Sequence, residues 1–105
     1  MPKPVTKLPP KTKTVTYDVS EQLRTPEEMA AYLDAWFIEA PDDAAGIARA
    51  LGDIARAKGM TQVARDAGLS RESLYKALGE SGNPSFATIL KVAHALGLRL
   101  HVQPT

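Results

Sequence analysis

Four consecutive polar side chains carry the most specific chemistry in this sequence: Ser70, Arg71, Glu72 and Ser73, two residues after Gly68. Arg71 has the donors to bind a guanine edge in bidentate fashion, or a phosphate. Glu72 can accept a hydrogen bond from a cytosine amino group or orient Arg71. Side chains of this kind, presented together on one exposed helical turn, are typical of a surface that hydrogen-bonds to base edges. The alternative for each is a solvated polar residue.

Polar residues before and after this turn add the groups that contact a nucleic-acid backbone. Thr61 and Gln62 open the preceding predicted helix, where their side chains and free backbone N–H groups can donate to a phosphate. Asn83 and Ser85, which open the next predicted helix, offer a second contact of the same kind.

Tyr75 and Lys76 lie one helical turn beyond the polar group and suit contacts with the DNA backbone or a thymine methyl. The candidate DNA-binding residues are therefore Thr61, Gln62, Ser70, Arg71, Glu72, Ser73, Tyr75, Lys76, Asn83 and Ser85.

The residues between these groups predict a helix-turn-helix, in which a second helix crosses the first and lies in the major groove. Ala64 is small where the helices would cross, and Gly68 tolerates the positive φ of the turn. Leu69 can fill the turn from inside, and Leu74 and Leu78 are inward anchors one turn apart. The alternative is an ordinary corner between two helices of a bundle.

Capping signals and apolar periodicity place this pair of helices within five predicted helices. They are residues 26–39, 43–58, 62–67, 71–78 and 86–96, with caps at Thr25, Asp42 or Asp43, Thr61, Ser70 and Ser85. The last helix is expected to be buried through Phe86, Ile89, Leu90, Ala93 and Leu96. The predicted fold class is all-α, with an N-terminal arm and helix and a short C-terminal β-strand.

The predicted strand covers residues 98–102, where Leu98, Leu100 and Val102 alternate with polar residues. It needs an edge to pair with, and the candidates are residues 14–19 or a second subunit. Three segments follow: a flexible basic arm at 1–13, rich in proline and lysine; an extended segment and amphipathic helix at 14–40; and a helix-turn-helix domain with the C-terminal strand at 41–105.

The first predicted helix has an apolar stripe that includes Tyr32, Trp36 and Phe37. It lies in a segment, residues 17–40, with six acidic side chains and one arginine. The stripe either packs on the next helices or forms a surface for a basic partner, since aromatic residues are common interface anchors.

Composition excludes several other classes. A chain of 105 residues without cysteine has no disulfide scaffold or thiolate site and no apolar run that could span a bilayer. His94 and His101 have no neighbouring pattern of metal ligands or nucleophiles, so we expect no metal, no cofactor and no enzyme. A cytoplasmic protein is the expectation. RNA binding is disfavoured, because the polar face has no stacking aromatic besides Tyr75.

The sequence resembles two known protein families. Residues 47–96 resemble the five-helix Xre/Cro-type repressor domain, with Asn83-Pro84-Ser85 and the segment from Thr88 to Gly97 similar to its closing helix. Residues 17–100 more narrowly resemble the addiction-module antidote proteins. That likeness is carried by Tyr17-Asp18, Leu23, Tyr32-Leu33, the run from Ala50 to Met60 and the run from Arg71 to Leu78.

The narrower resemblance implies the antitoxin of a type II toxin-antitoxin module, which binds a RelE/ParE-like toxin and represses its own operon as a homodimer. Residues 1–13 lie outside the likeness. We expect the dimer contact at Leu98, Leu100 and Val102, or at the helix before them. The alternative function is a stand-alone prophage-type transcriptional regulator without a toxin.

Overall fold

The computed structural model of the protein describes residues 23–105, and this part of the chain forms five helices. They are α1 (Pro26–Glu39), α2 (Ala44–Lys58), α3 (Met60–Ala67), α4 (Arg71–Ala77) and α5 (Phe86–Ala95). No strand occurs in the described part, so the fold is all-helical, as expected. The predicted arm at 1–13 and the extended segment at 14–19 lie outside the described residues.

Helix α1 begins with the capping box that the sequence predicts. The Glu28 N–H donates to Thr25 Oγ1 at 3.1 Å, and Glu28 Oε1 accepts from the Thr25 N–H at 3.0 Å. Pro26 occupies the first turn, where its missing donor is harmless. The helix ends at Glu39, and Ala40 and Pro41 follow it.

Side-chain caps also begin three other helices, at residues that the sequence predicts. The caps of α2, α4 and α5 are Asp43, Ser70 and Ser85, which accept from the N–H groups of Gly46, Ser73 and Thr88 at 2.8, 3.0 and 3.1 Å. Each cap satisfies one of the backbone donors that a helix start leaves free.

The predicted cap of α3 is wrong. Thr61 is already the second residue of that helix, which begins at Met60 without a side-chain cap. The reason lies in the junction, because Gly59, with φ 119°, both ends α2 and precedes α3. The chain therefore turns within one residue, and Thr61 has no extended position from which to cap.

The centre of the core comes from α2 to α5. Its largest fully buried side chains are Leu51, Ile54, Val63, Leu74, Leu78, Val92 and Leu96. Helix α1 packs against α2 and extends this core with Met29, Leu33 and Trp36. The N-terminal helix is therefore part of the same packed unit as the four that follow.

Trp36 joins α1 to α2 through a close contact with a glycine. Its side chain is 7% exposed, and a Cβ added to Gly46 would lie 2.5 Å from Trp36 Cζ3. Such a Cβ would also overlap the carboxylate of Asp43, which caps α2. The absence of a side chain at position 46 thus lets the indole ring lie against the first turn of α2.

The turn between α3 and α4 has the predicted geometry. Gly68 has φ 73°, the left-handed conformation that glycine adopts without strain. The Leu69 N–H donates to the Ala64 carbonyl at 2.9 Å, and the Leu69 side chain is half-buried against the core. The turn therefore fixes the direction in which α4 leaves α3.

The predicted buried face of α5 is only partly correct. Phe86 is 69% exposed and Leu90 is 44% exposed, whereas Ile89 is half-buried and Ala93 and Leu96 are buried as expected. The helix packs mainly against α3, and its buried face is centred on Val92 and Leu96. Phe86 and Leu90 lie four residues apart at the edge of that face and remain in solvent.

The predicted C-terminal strand is not found. Residues 98–105 form neither helix nor strand; Leu98 and Leu100 are half-buried, and Val102 is 94% exposed. A strand forms only by pairing with another, and residues 23–97 contain none. The alternation along the tail therefore corresponds to its half-buried leucines but does not produce a strand within residues 23–105.

We predict that Gly46→Ala destabilises the protein. Alanine gains up to about 1 kcal/mol in helix propensity, but overpacking against Trp36 costs about 1–3 kcal/mol, so the free energy of unfolding should fall. Urea denaturation of wild type, Gly46→Ala and the exposed neighbouring variant Ala45→Ser measures the effect. A midpoint for Gly46→Ala at or above that of the wild type would contradict the packing described.

Candidate nucleic-acid interface

Helix α4 presents its polar face to solvent because two leucines hold the opposite face in the core. Leu74 and Leu78 are fully buried. The predicted DNA contacts within α4 are all exposed: Arg71, Glu72, Ser73, Tyr75 and Lys76. The structure thus brings the predicted group together on one accessible surface.

The hydroxyl of Ser70 holds the first turn of this surface in place. Ser70 Oγ accepts from the Ser73 N–H at 3.0 Å and donates to Ser73 Oγ at 2.9 Å. Ser70 therefore serves as the cap of α4. Ser73 lies within the helix, and its hydroxyl accepts from that of Ser70.

Arg71 lies along the helix against Tyr75. Its Nη2 donates to Tyr75 Oη at 3.2 Å, and its Cζ lies 5.2 Å from the centroid of the tyrosine ring. Both side chains are exposed. A guanidinium stacked on an aromatic ring loses fewer rotamers on binding, so Arg71 is partly oriented before it meets a ligand.

An open cleft of about 580 Å³ connects this surface with α3 and the end of α2. Its lining residues are Arg56, Gly59, Met60, Thr61, Gln62, Arg65, Arg71 and Tyr75. Four of these are predicted DNA contacts. The cleft brings three guanidinium groups to one surface, an arrangement suited to binding phosphates.

Arg56 and Arg65 are cleft residues that the sequence reasoning missed. Arg65 follows Thr61 by four residues and Gln62 by three, so helical periodicity alone places it on their face of α3. Arg56 has no comparable signal, since it reaches the cleft only through the sharp junction of α2 with α3 at Gly59.

Asp53 connects the cleft to α1. Its Oδ1 accepts from Arg56 Nη2 at 2.9 Å, and its Oδ2 accepts from the Tyr32 hydroxyl at 2.8 Å. A carboxylate that accepts from both sides restricts the arginine to one region beside the cleft. The position of Arg56 therefore depends on α1 as well as on its own helix.

Acidic side chains near the cleft reduce its positive charge. Gln62 Nε2 donates to both carboxylate oxygens of Asp66, at 3.0 and 3.1 Å, which holds the amide along α3. Glu72 is exposed on the first turn of α4. Carboxylates at these positions repel phosphate and so restrict where a nucleic-acid backbone can approach.

Asn83 and Ser85 are the two predicted contacts that lie beyond α4 in the chain. Ser85 caps α5 and donates to Thr88 Oγ1 at 3.1 Å, and Asn83 is exposed in the loop before it. Neither residue lines the cleft. Their side chains are accessible for a separate contact, with the Ser85 hydroxyl already engaged as a cap.

The aromatic stripe of α1 divides into core and surface. Trp36 is buried and Tyr32 is half-buried with its hydroxyl on Asp53, whereas Phe37 is 44% exposed. The assignment of Trp36 to a partner surface is thus corrected, because its indole ring is enclosed between α1 and α2. Of the three, Phe37 is the residue that a partner can reach in the folded chain.

Residues 23–105 contain no group of three or more His, Asp or Glu side chains arranged to hold a metal ion. In the same part of the chain, no helix is long and apolar enough to cross a membrane.

The geometry defines a small all-helical protein with a basic cleft beside a short, polar-faced helix. Residues 13–104 match the family described as "Probable addiction module antidote protein", and the chain belongs to that family. A Haemophilus influenzae (strain Rd) protein, itself described as an "Uncharacterized protein", is 54% identical over 87 residues, 83% of this chain and 88% of that protein. No solved structure matches.

We predict that Leu74→Ala removes the anchor of α4. Deleting a fully buried leucine should lower the free energy of unfolding by about 2–5 kcal/mol. Ile38→Ala, a comparable change at a position that is 70% exposed, should cost less than about 1 kcal/mol. Thermal and urea denaturation of the two variants test this, and equal losses would show that α4 is not held by this contact.

Proposed function

We propose that the protein is the antitoxin of a type II toxin-antitoxin module, which neutralises a RelE/ParE-like toxin and represses its own operon as a homodimer. Membership of the antidote family supports the antitoxin role and implies a toxin partner. Repression requires sequence-specific DNA binding, and the observation that carries this part is the basic cleft beside the exposed first turn of α4.

In the proposed complex, α4 lies in the major groove as the recognition helix of an Xre/Cro-type domain. Arg71 binds a guanine edge, and Ser73 and Glu72 contact neighbouring bases. The stacking of Arg71 on Tyr75 supports this role, because it holds the guanidinium beside the exposed face. Lys76 and Tyr75 contact the backbone one turn farther along.

Phosphate contacts are assigned to the rest of the cleft. Arg56 and Arg65 supply charge, and Thr61 and Gln62 lie beside them in the first turn of α3. Phosphate contacts position a protein on DNA, whereas base contacts select the sequence. The cleft therefore supports a division of labour in which α3 and the end of α2 set the position of α4.

A stand-alone transcriptional regulator would have the same DNA-binding surface. Membership of the antidote family favours the antitoxin. The adjacent open reading frame discriminates between the two, since an antitoxin gene should neighbour one for a small basic protein.

The homodimer is proposed because one domain of this size buries too little surface for tight operator binding. A two-fold operator then matches a two-fold protein. The exposed Phe86 and Leu90 of α5 and the exposed Val102 of the tail are the apolar groups that a second copy would cover, together with half-buried Leu98 and Leu100.

We predict that Arg71→Ala weakens binding to the promoter of the protein's own operon by about 1–3 kcal/mol and relaxes sequence preference. Lys91→Ala removes an exposed basic side chain of α5 that lies outside the cleft, and it should leave the affinity for DNA unchanged. Fluorescence anisotropy at several salt concentrations measures both. If Arg71→Ala bound as tightly as the wild type, or if wild-type affinity were independent of salt, the DNA assignment would fail.

We also predict that the wild type forms a dimer of twice the 11.3 kDa chain mass at micromolar concentration. Phe86→Asp introduces a charge into the proposed contact and should shift the protein to monomer without unfolding it, because the side chain is 69% exposed. Light scattering after gel filtration gives the mass. A monomeric wild type that binds DNA independently of concentration would exclude the proposed dimer.

A further inference from the structure

Helix α1 has a second face, opposite the one it packs against α2. We call it the outer face of α1. Its residues are Glu27, Ala30, Ala31, Asp34, Phe37 and Ile38, all of them exposed. The buried residues Met29, Leu33 and Trp36 follow the helical repeat on the other side. The face is therefore continuous along the helix and accessible from end to end.

The C-terminal half of the outer face is apolar. Phe37 is 44% exposed and Ile38 is 70% exposed. Both follow Asp34 by about one turn, so each of them lies beside that carboxylate on the surface. Ala30 and Ala31, one turn before Asp34, add no bulk that would keep a partner away from the helix. Adjacent large apolar side chains on a surface, close to polar ones, are the pattern of a protein interface.

The charge around this patch is negative. Residues 23–43 contain one basic residue, Arg24, and the acids Glu27, Glu28, Asp34, Glu39, Asp42 and Asp43. The last turn of α1 has no basic residue to offset the partial negative charge of the helix C-terminus. A partner for this face therefore needs basic groups around an apolar pocket.

The negative charge discriminates between the possible partners of the outer face of α1. DNA is excluded at the patch, because its phosphates would face carboxylates. A symmetric contact with a second copy would place the acidic outer face against itself, which like charges disfavour. What fits is a different protein with a basic surface.

We propose that the outer face of α1 is the surface that binds the toxin, a basic protein whose apolar pocket receives Ile38 and Phe37 while its basic groups pair with Asp34. This rests on the antitoxin function proposed above. It moves the contact from the buried Trp36 to the opposite side of the same helix. Because Ile38 makes no contribution to the core, the face can bind without unfolding α1.

The test uses the full-length chain and the protein encoded by the open reading frame adjacent to its gene. Isothermal titration calorimetry should show Ile38→Ser weakening the complex at least about tenfold, as for a central interface anchor. Asp34→Lys should weaken it as well and reduce the dependence of affinity on salt. Both substitutions are at exposed positions, and circular dichroism should show an unchanged melting transition.

Glu80→Lys is the matched control for Asp34→Lys, since Glu80 is exposed but lies in the loop between α4 and α5. It and Arg71→Ala, on the DNA surface, should leave this affinity within about twofold of the wild type. If the wild type binds and Ile38→Ser and Asp34→Lys bind equally well, the outer face is not the contact and the antitoxin function stands. If the wild type does not bind the adjacent product, the antitoxin function fails and this surface assignment fails with it.

Discussion

The burial of Leu74 and Leu78 is the interaction on which the candidate DNA surface depends. Helix α4 has seven residues, too few for a helix to be stable on its own in water. These two side chains tie it to a core built from α2, α3 and α5. The same contact points Arg71 and Ser73 outward, so stability and presentation of the polar face have one cause. The turn at Gly68 sets the direction in which α4 leaves α3, and the burial of the two leucines holds the helix against the core.

Helix α1 depends on a different contact, the close packing of Trp36 on Gly46, and is linked to the cleft by a shared carboxylate. Asp53 accepts from Tyr32 of α1 and from Arg56 at the cleft. A displacement of α1 would therefore change the hydrogen bonding of a cleft arginine. The N-terminal helix both supports the core and is linked through α2 to the proposed DNA surface.

Local signals predicted most of the fold. The caps at Thr25, Ser70 and Ser85 depend on a few adjacent residues, and the structure has them as expected. The sequence-based predictions were wrong where the outcome depends on how two elements pack against each other. Whether Trp36 or Phe37 is buried depends on how α1 crosses α2, and both fit the same apolar stripe. Arg56 joins the cleft only through the sharp junction of α2 and α3. The tail alternates, but residues 23–97 offer no strand edge with which it could pair.

The two proposed surfaces carry charge of opposite sign, so they attract different kinds of partner. The cleft gathers Arg56, Arg65 and Arg71, whereas the outer face of α1 is acidic around Phe37 and Ile38. Phosphate is attracted to the first and repelled by the second, and a basic protein responds in the opposite way. A chain of this size can hold both surfaces because they lie on different helices: α2 packs against α1, which has the acidic outer face, and against α3, which lines the cleft. Binding at one surface therefore does not require the other to be vacated, and Asp53 of α2, which accepts from both Tyr32 and Arg56, is a contact through which the two surfaces can be coupled.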